Sequence, residues 1–308
     1  MTERHTPGTD LVDFEEPAHI MKNRAWDTDS RKLHAMCGFV RIRPGHACLV
    51  LLLALGLACG PSRDPETPAA GDPGRQSVAE YDIARDLFVA RGNARAALDH
   101  ALKAVELDDD NADAAHLVSL IYLFFCATSE VECRLEEAEK HVRRAIKVKK
   151  DFREAKNTLG VVLIHQKRYE DAIAVLDPLA NDILYSTPET AWGNLGWAYL
   201  LKGDLDKAVE SLRRALALQP EFCVGAYRLA LAYEKKGDHK AALDALTRAL
   251  DTDRPECQSL QDAFRARARI AMRLGDHDSA RGDLERCREL DAETQSGREC
   301  AAALAKFK

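Results

Sequence analysis

The sequence predicts an all-α protein: an α-solenoid of six stacked helix pairs closed by a C-terminal capping helix. Three observations carry that prediction. Alanine and leucine are abundant, aromatics make up only 6% of the 308 residues, and no alternating Val/Ile/Thr run suggests a strand. Residues 189–222, ETAWGNLGWAYLLKGDLDKAVESLRRALALQPEF, read as one self-contained unit of 34 residues. Variants of that unit account for nearly all of 78–294, and self-similarity at a fixed period is the signature of a stacked array.

Each position of the unit has a local reason. Trp192, Leu195 and Tyr199 share one face at helical spacing. Gly196 and Ala208 are small where two helices cross closely. Gly203 suits the left-handed conformation that ends the first helix, Asp204 suits the cap of the second, and Pro220 stops it. Such a pair cannot bury its apolar face alone, so neighbours must stack on it. With Trp192, Leu195, Gly196, Tyr199, Ala208, Leu212, Ala215 and Pro220 at positions 4, 7, 8, 11, 20, 24, 27 and 32, the unit resembles a tetratricopeptide repeat.

In chain order, residues 1–58 read as a signal region. The apolar run 47–58, ACLVLLLALGLA, is too short to span a bilayer comfortably, and Arg41 and Arg43 precede it. It ends in Leu55-Gly56-Leu57-Ala58-Cys59, which resembles a bacterial lipobox with Cys59 as the lipidated cysteine; the alternatives are an ordinary cleaved signal peptide or a buried helix. Residues 1–35 carry Asp10, Asp13, Glu15 and Glu16 and do not suit a leader, whereas a start at Met36 gives a normal one; the alternative is a long, unusual leader. Residues 60–77 contain four prolines and three glycines and read, with Cys59, as a disordered tether over 59–77 spanning roughly 20–25 Å. In lipoproteins the residue after the cysteine influences sorting, and Gly60 leans towards an outer-membrane destination facing the periplasm.

The repeats follow at 78–111, 112–152, 153–186, 189–222, 223–256 and 261–294, and 295–308 reads as the capping tail. The second carries seven extra residues in its turn. The third has Lys167-Arg168 where others have Gly-Asp, and its second helix is expected to end near Asp177-Pro178. The segment NDILYSTP then leads into the fourth.

Six of the nine cysteines lie in the array: Cys126, Cys133, Cys223, Cys257, Cys287 and Cys300. An even count in an oxidising compartment suggests disulfides, with fifteen pairings open. Cys126 and Cys133 bracket a turn; Cys223 and Cys257 fall at the same end of adjacent helix pairs; Cys287 and Cys300 fall where the tail should fold back. The other reading is free cysteines as small core residues, Cys287 above all.

The net charge of −6 argues against a nucleic-acid partner. No nucleophile motif, phosphate loop or metal-ligand spacing appears, so no enzyme activity, cofactor, metal or small-molecule substrate is expected. His100, His116, His165 and His239 read as surface or satisfied core residues. What remains is a surface. In tetratricopeptide arrays positions 2, 5, 9, 12 and 13 line a concave groove. Here they give Leu120, Leu123 and Phe124, then Asn157, Val161, Ile164 and His165, then Trp197, Leu200 and Leu201, then Tyr227 and Leu231. An exposed apolar strip of this kind marks a partner site, against the alternative that these residues are only core. Asp82 and Asp86 at one end, and Arg265, Arg269 and Arg273 at the other, suggest a charge gradient along it.

Six repeats behind a lipid cysteine, with NTLGVVLIHQKRYEDAIAVL followed by the longer junction NDILYSTPETAWGNLGWAYLLKGD, resemble the type IV pilus pilotin lipoproteins, the Tgl/PilF-like group. That resemblance implies a non-enzymatic outer-membrane lipoprotein that binds secretin subunits and promotes their multimerisation. The alternative is a generic tetratricopeptide lipoprotein scaffold in cell-envelope assembly or a multiprotein complex.

Overall fold

A computed structural model describes residues 71–129 and 131–307. The leader, Met36, Cys59 and most of the expected tether lie outside the described residues. Those described form helices and no strand. Helix α1 (Pro73–Arg85) runs on as a π-helix, Asp86–Ala90, and pairs with α2 (Ala94–Leu107). The next pairs are α3 (Ala112–Thr128) with α4 (Leu135–Val148), α5 (Arg153–His165) with α6 (Tyr169–Ala180), and α7 (Pro188–Lys202) with α8 (Leu205–Leu218). Then come α9 (Cys223–Lys235) with α10 (His239–Leu250), the single turn α11 (Pro255–Gln258), and α12 (Gln261–Leu274) with α13 (His277–Leu290). Helix α14 (Gln295–Leu304) folds back on α13 and α12.

The turns inside the pairs follow from local chemistry. Gly203 takes φ 93° and ends α7, and the Asp204 carboxylate accepts the Lys207 amide at the start of α8. Gly237-Asp238 and Gly275-Asp276 repeat that arrangement. The third pair has no glycine at this point, yet Lys167 adopts φ 61°, a conformation costly for a residue with a Cβ. Packing of α5 on α6 therefore decides this turn against local preference. Between the helices of the fourth pair a Cβ on Gly196 would lie 2.6 Å from Leu212 Cγ and 3.2 Å from the Ala208 carbonyl oxygen. The closeness of α7 to α8 thus depends on glycine, and Leu212 is fully buried as a result. Burying such a leucine is worth roughly 1.5–3 kcal/mol.

Each helix packs on the next, and the first helices of successive pairs, α1, α3, α5, α7, α9 and α12, also touch one another along the array. That row forms an inner wall. Two edges flank it: a turn edge, where each pair reverses, and a junction edge, where one pair leads into the next. Ion pairs tie consecutive junctions together, including Arg144 with Asp109, Arg153 with Asp182 at 2.7 Å and Arg254 with Glu221 at 3.4 Å.

Two boundaries differ from the sequence reading. The folded part starts within the expected tether, because Asp72 caps α1 with Pro73 in its first turn. Ser77 is fully buried, donating to the Ala104 carbonyl at 2.7 Å and accepting from Asn111 Nδ2 at 2.8 Å. Helix α6 continues past Asp177-Pro178 to Ala180; proline is tolerated in this final turn, where Leu179 and Ala180 are buried and hold the chain in place. The structure joins Cys126 to Cys133, Cys223 to Cys257, and Cys287 to Cys300.

Candidate functional site

The inner wall brings the sequence-derived groove residues into one row, but at different depths. Leu120 and Phe124 on α3, Leu201 on α7, and Tyr227 and Leu231 on α9 are partly exposed. Leu123, Val161, Ile164, Trp197 and Leu200 are buried, at 4%, 3%, 1%, 7% and 2% exposure. The expectation of a continuous exposed strip is therefore corrected: these five form a floor, and the first five a rim. The physical reason is that the first helices touch each other. A side chain aimed at the inner wall is also aimed at the neighbouring first helix.

Trp197 shows how the floor is built. The His165 ring meets its indole edge-on at 5.1 Å, and the Arg228 guanidinium lies over it at 4.3 Å, a cation–π contact strengthened by desolvation. Arg228 donates to Asn194 Oδ1 at 2.9 Å, and Asn194 donates to Asn157 Oδ1 at 3.1 Å. A polar ladder thus crosses α5, α7 and α9 behind the apolar rim. Burial pushes the Arg228 guanidinium down to about 9 and the His165 imidazole down to about 4; at neutral pH the imidazole is uncharged. On α3, buried His116 shares a 2.9 Å hydrogen bond with Thr158, and burial, with Lys149 nearby, takes it down to about 3.

Asn194 and Arg228 were not among the sequence-derived candidates. Their signal is that two polar residues stand 34 residues apart in the apolar middle of two first helices.

The expected charge gradient is neutralised locally. Asp82 pairs with Arg85 and Asp86 with Arg91. At the other end Arg265 pairs with Asp262 and Glu299, and Arg269 and Arg273 both pair with Glu234. Among the described residues no group of three His, Cys, Asp or Glu side chains is placed to hold a metal ion.

Stacked helix pairs with a row of first helices along one wall define an α-solenoid repeat protein. One tetratricopeptide-repeat family model matches residues 190–222, and a second matches 134–183 and 227–293. The chain carries tetratricopeptide repeats over those residues. Over 175 residues, 56% of this chain, it is 31% identical to the type IV pilus assembly protein PilF of Pseudomonas aeruginosa. The match spans 66% of that relative, just under two thirds of its length. The crystal structure of PilW, a widely conserved type IV pilus biogenesis factor, superposes with a TM-score of 0.61 at 22% identity, covering 73% of this chain and 98% of that one. The structure of pilF from Pseudomonas aeruginosa gives 0.56 at 21% identity, covering 76% and 100%. Both structural likenesses establish the fold.

Proposed function

We propose that this chain is a non-enzymatic, lipid-anchored tetratricopeptide protein that serves type IV pilus biogenesis by binding secretin subunits and promoting their multimerisation at the outer membrane, facing the periplasm. The similarity to a type IV pilus assembly protein and a type IV pilus biogenesis factor supports the pilus context. The observation that carries the binding role is the apolar rim of Leu120, Phe124, Leu201, Tyr227 and Leu231 over a close-packed floor. Secretin subunits must keep amphipathic segments from aggregating before insertion, and a rim at about 25 cal/mol per Å² of apolar area covered can shield one. Cys59 is the proposed anchor. One acyl chain holds a membrane only marginally, so the several chains of a lipoprotein supply the durable attachment.

Deleting the gene is expected to abolish heat-resistant secretin multimers; unchanged multimers would reject the pilotin role. Trp197→Asp is a poor probe, because Trp197 is packed between His165 and Arg228. The double variant Leu201→Asp/Leu231→Asp is expected to weaken secretin capture at least tenfold while circular dichroism stays native. Full capture by that folded variant would move the site off the rim.

A further inference from the structure

We propose that the junction edge of the solenoid is its membrane-facing side, with Ile183 and Leu184 seated in the lipid surface; this rests on the reading of Cys59 as the lipid anchor. The segment between α6 and α7 is pinned rather than loose. Tyr185 is buried at 5% exposure, and its hydroxyl lies 3.2 Å from Thr190 Oγ1. The Asp182 carboxylate accepts the Leu184 amide at 2.9 Å and Arg153 Nε at 2.7 Å. Held from both sides, the turn points its two intervening apolar side chains outward. Ile183 is 95% exposed, the highest of any large apolar residue described, and Leu184 is 71% exposed.

These two are not isolated. Val148, the last residue of α4, is 38% exposed, and Leu218, the last of α8, is 54% exposed. Three consecutive pairs therefore present apolar side chains along one edge. Lys147, Lys149 and Lys150, all exposed, flank Val148. Of the carboxylates along this edge, Asp182 pairs with Arg153, Glu221 with Arg254, Asp113 with Lys149 and Asp109 with Arg144, while Asp110, Asp151 and Asp253 are exposed. Apolar side chains among lysines suit a lipid interface, where ammonium groups sit at the headgroups and apolar parts lie below them. No described helix is long and apolar enough to cross a membrane, so the contact is peripheral.

The choice of a lipid surface over another occupant comes from where the chain outside the helices ends. Helix α1 begins at the junction edge, since Ser77 bonds to Ala104 near the end of α2 and to Asn111 just before α3. Only residues 60–72 separate Cys59 from α1. The turn edge lies about a further 20 Å away, the length of one of these helices. A bilayer holding Cys59 therefore meets the junction edge first.

The test uses the full lipidated chain in phosphatidylethanolamine/phosphatidylglycerol vesicles with and without brominated acyl chains. Leu184→Trp is compared with Val131→Trp, since Val131 is 81% exposed on the turn edge; the fluorescence of the parent chain is subtracted. Brominated lipid is expected to quench the added signal at position 184 at least twofold and to leave that at 131 unchanged. Adding Ile183→Asp to Leu184→Trp is expected to remove the quenching. Vesicle-bound protein with no quenching at 184 overturns the proposal while leaving the anchor intact. A Cys59→Ala chain that floats with vesicles as well as the parent overturns the anchor reading instead. An unquenched position 184, together with loss of secretin co-purification in Ile183→Asp, would make this edge a protein site and sink the proposal.

Discussion

The two ends of the solenoid are finished differently. At the C-terminal end α14 covers α12 and α13, and the Cys287–Cys300 disulfide fixes it there. Gln261 Nε2 donates to the Cys287 and Asp291 carbonyls at 2.6 Å each, and Thr294 Oγ1 donates to Gln261 Oε1 at 2.6 Å. At the N-terminal end α1 keeps Val78 and Ile83 at 53% and 44% exposure and its π-helical continuation keeps Val89 at 52%, while that π-helical turn sends Phe88 inward against Phe124 at 5.7 Å. A stacked array has two terminal faces that no repeat covers. Among the described residues, the tail dresses one of these faces and the other shows apolar side chains.

The sharpest way to break that comparison is acid, which is expected to attack neither end first. His116 and His165 sit in α3 and α5 with folded values of about 3 and 4, below the ordinary 6.5. The unfolded chain takes up protons that the native one refuses, so their contribution is whole above about pH 6.5 and fades as pH falls towards the folded values. At pH 5 each should cost about 2 kcal/mol, together about 4. Urea titrations at pH 7 and pH 5, repeated with His116→Gln, check this; an unchanged pH slope in the variant would rule out His116 as a source. Hydrogen exchange at pH 5 should show α3 and α5 opening before α13 and α14.

The next effect sharpens the contrast between the ends. Cys287→Ala/Cys300→Ala is expected to lower stability by about 3 kcal/mol, from the closed loop alone, with α14 losing exchange protection first. Val78→Ser/Ile83→Ser/Val89→Ser should stay within about 0.5 kcal/mol, as surface changes do. A large loss in that triple variant would mean that the N-terminal face is covered after all. A small effect of opposite sign lies between the ends: Lys167→Gly should stabilise by about 0.5–1 kcal/mol by relieving a left-handed residue, raising the melting temperature by a few degrees.

The helix pairs were legible because their punctuation is local. Gly203 with Asp204 announces a turn, and 237–238 and 275–276 repeat it. The turn at Lys167 could be placed only by analogy with its neighbours, since tertiary packing overrides its residue type. The start of α1 was hidden by its proline- and glycine-rich composition, although Asp72-Pro73 carries a cap signal. The groove residues were legible in direction but not in depth. Position in the repeat says which way Trp197 points; how closely α9 approaches α7, and hence whether Arg228 covers it, is set by packing between repeats.

The bond between Cys223 and Cys257 has a consequence for breakage. It closes a ring of chain that holds all of α9 and α10. A protease that severs one backbone link inside that ring releases nothing, because both fragments stay covalently joined. Until the cystine is opened, such a nick makes no change in mass beyond one added water.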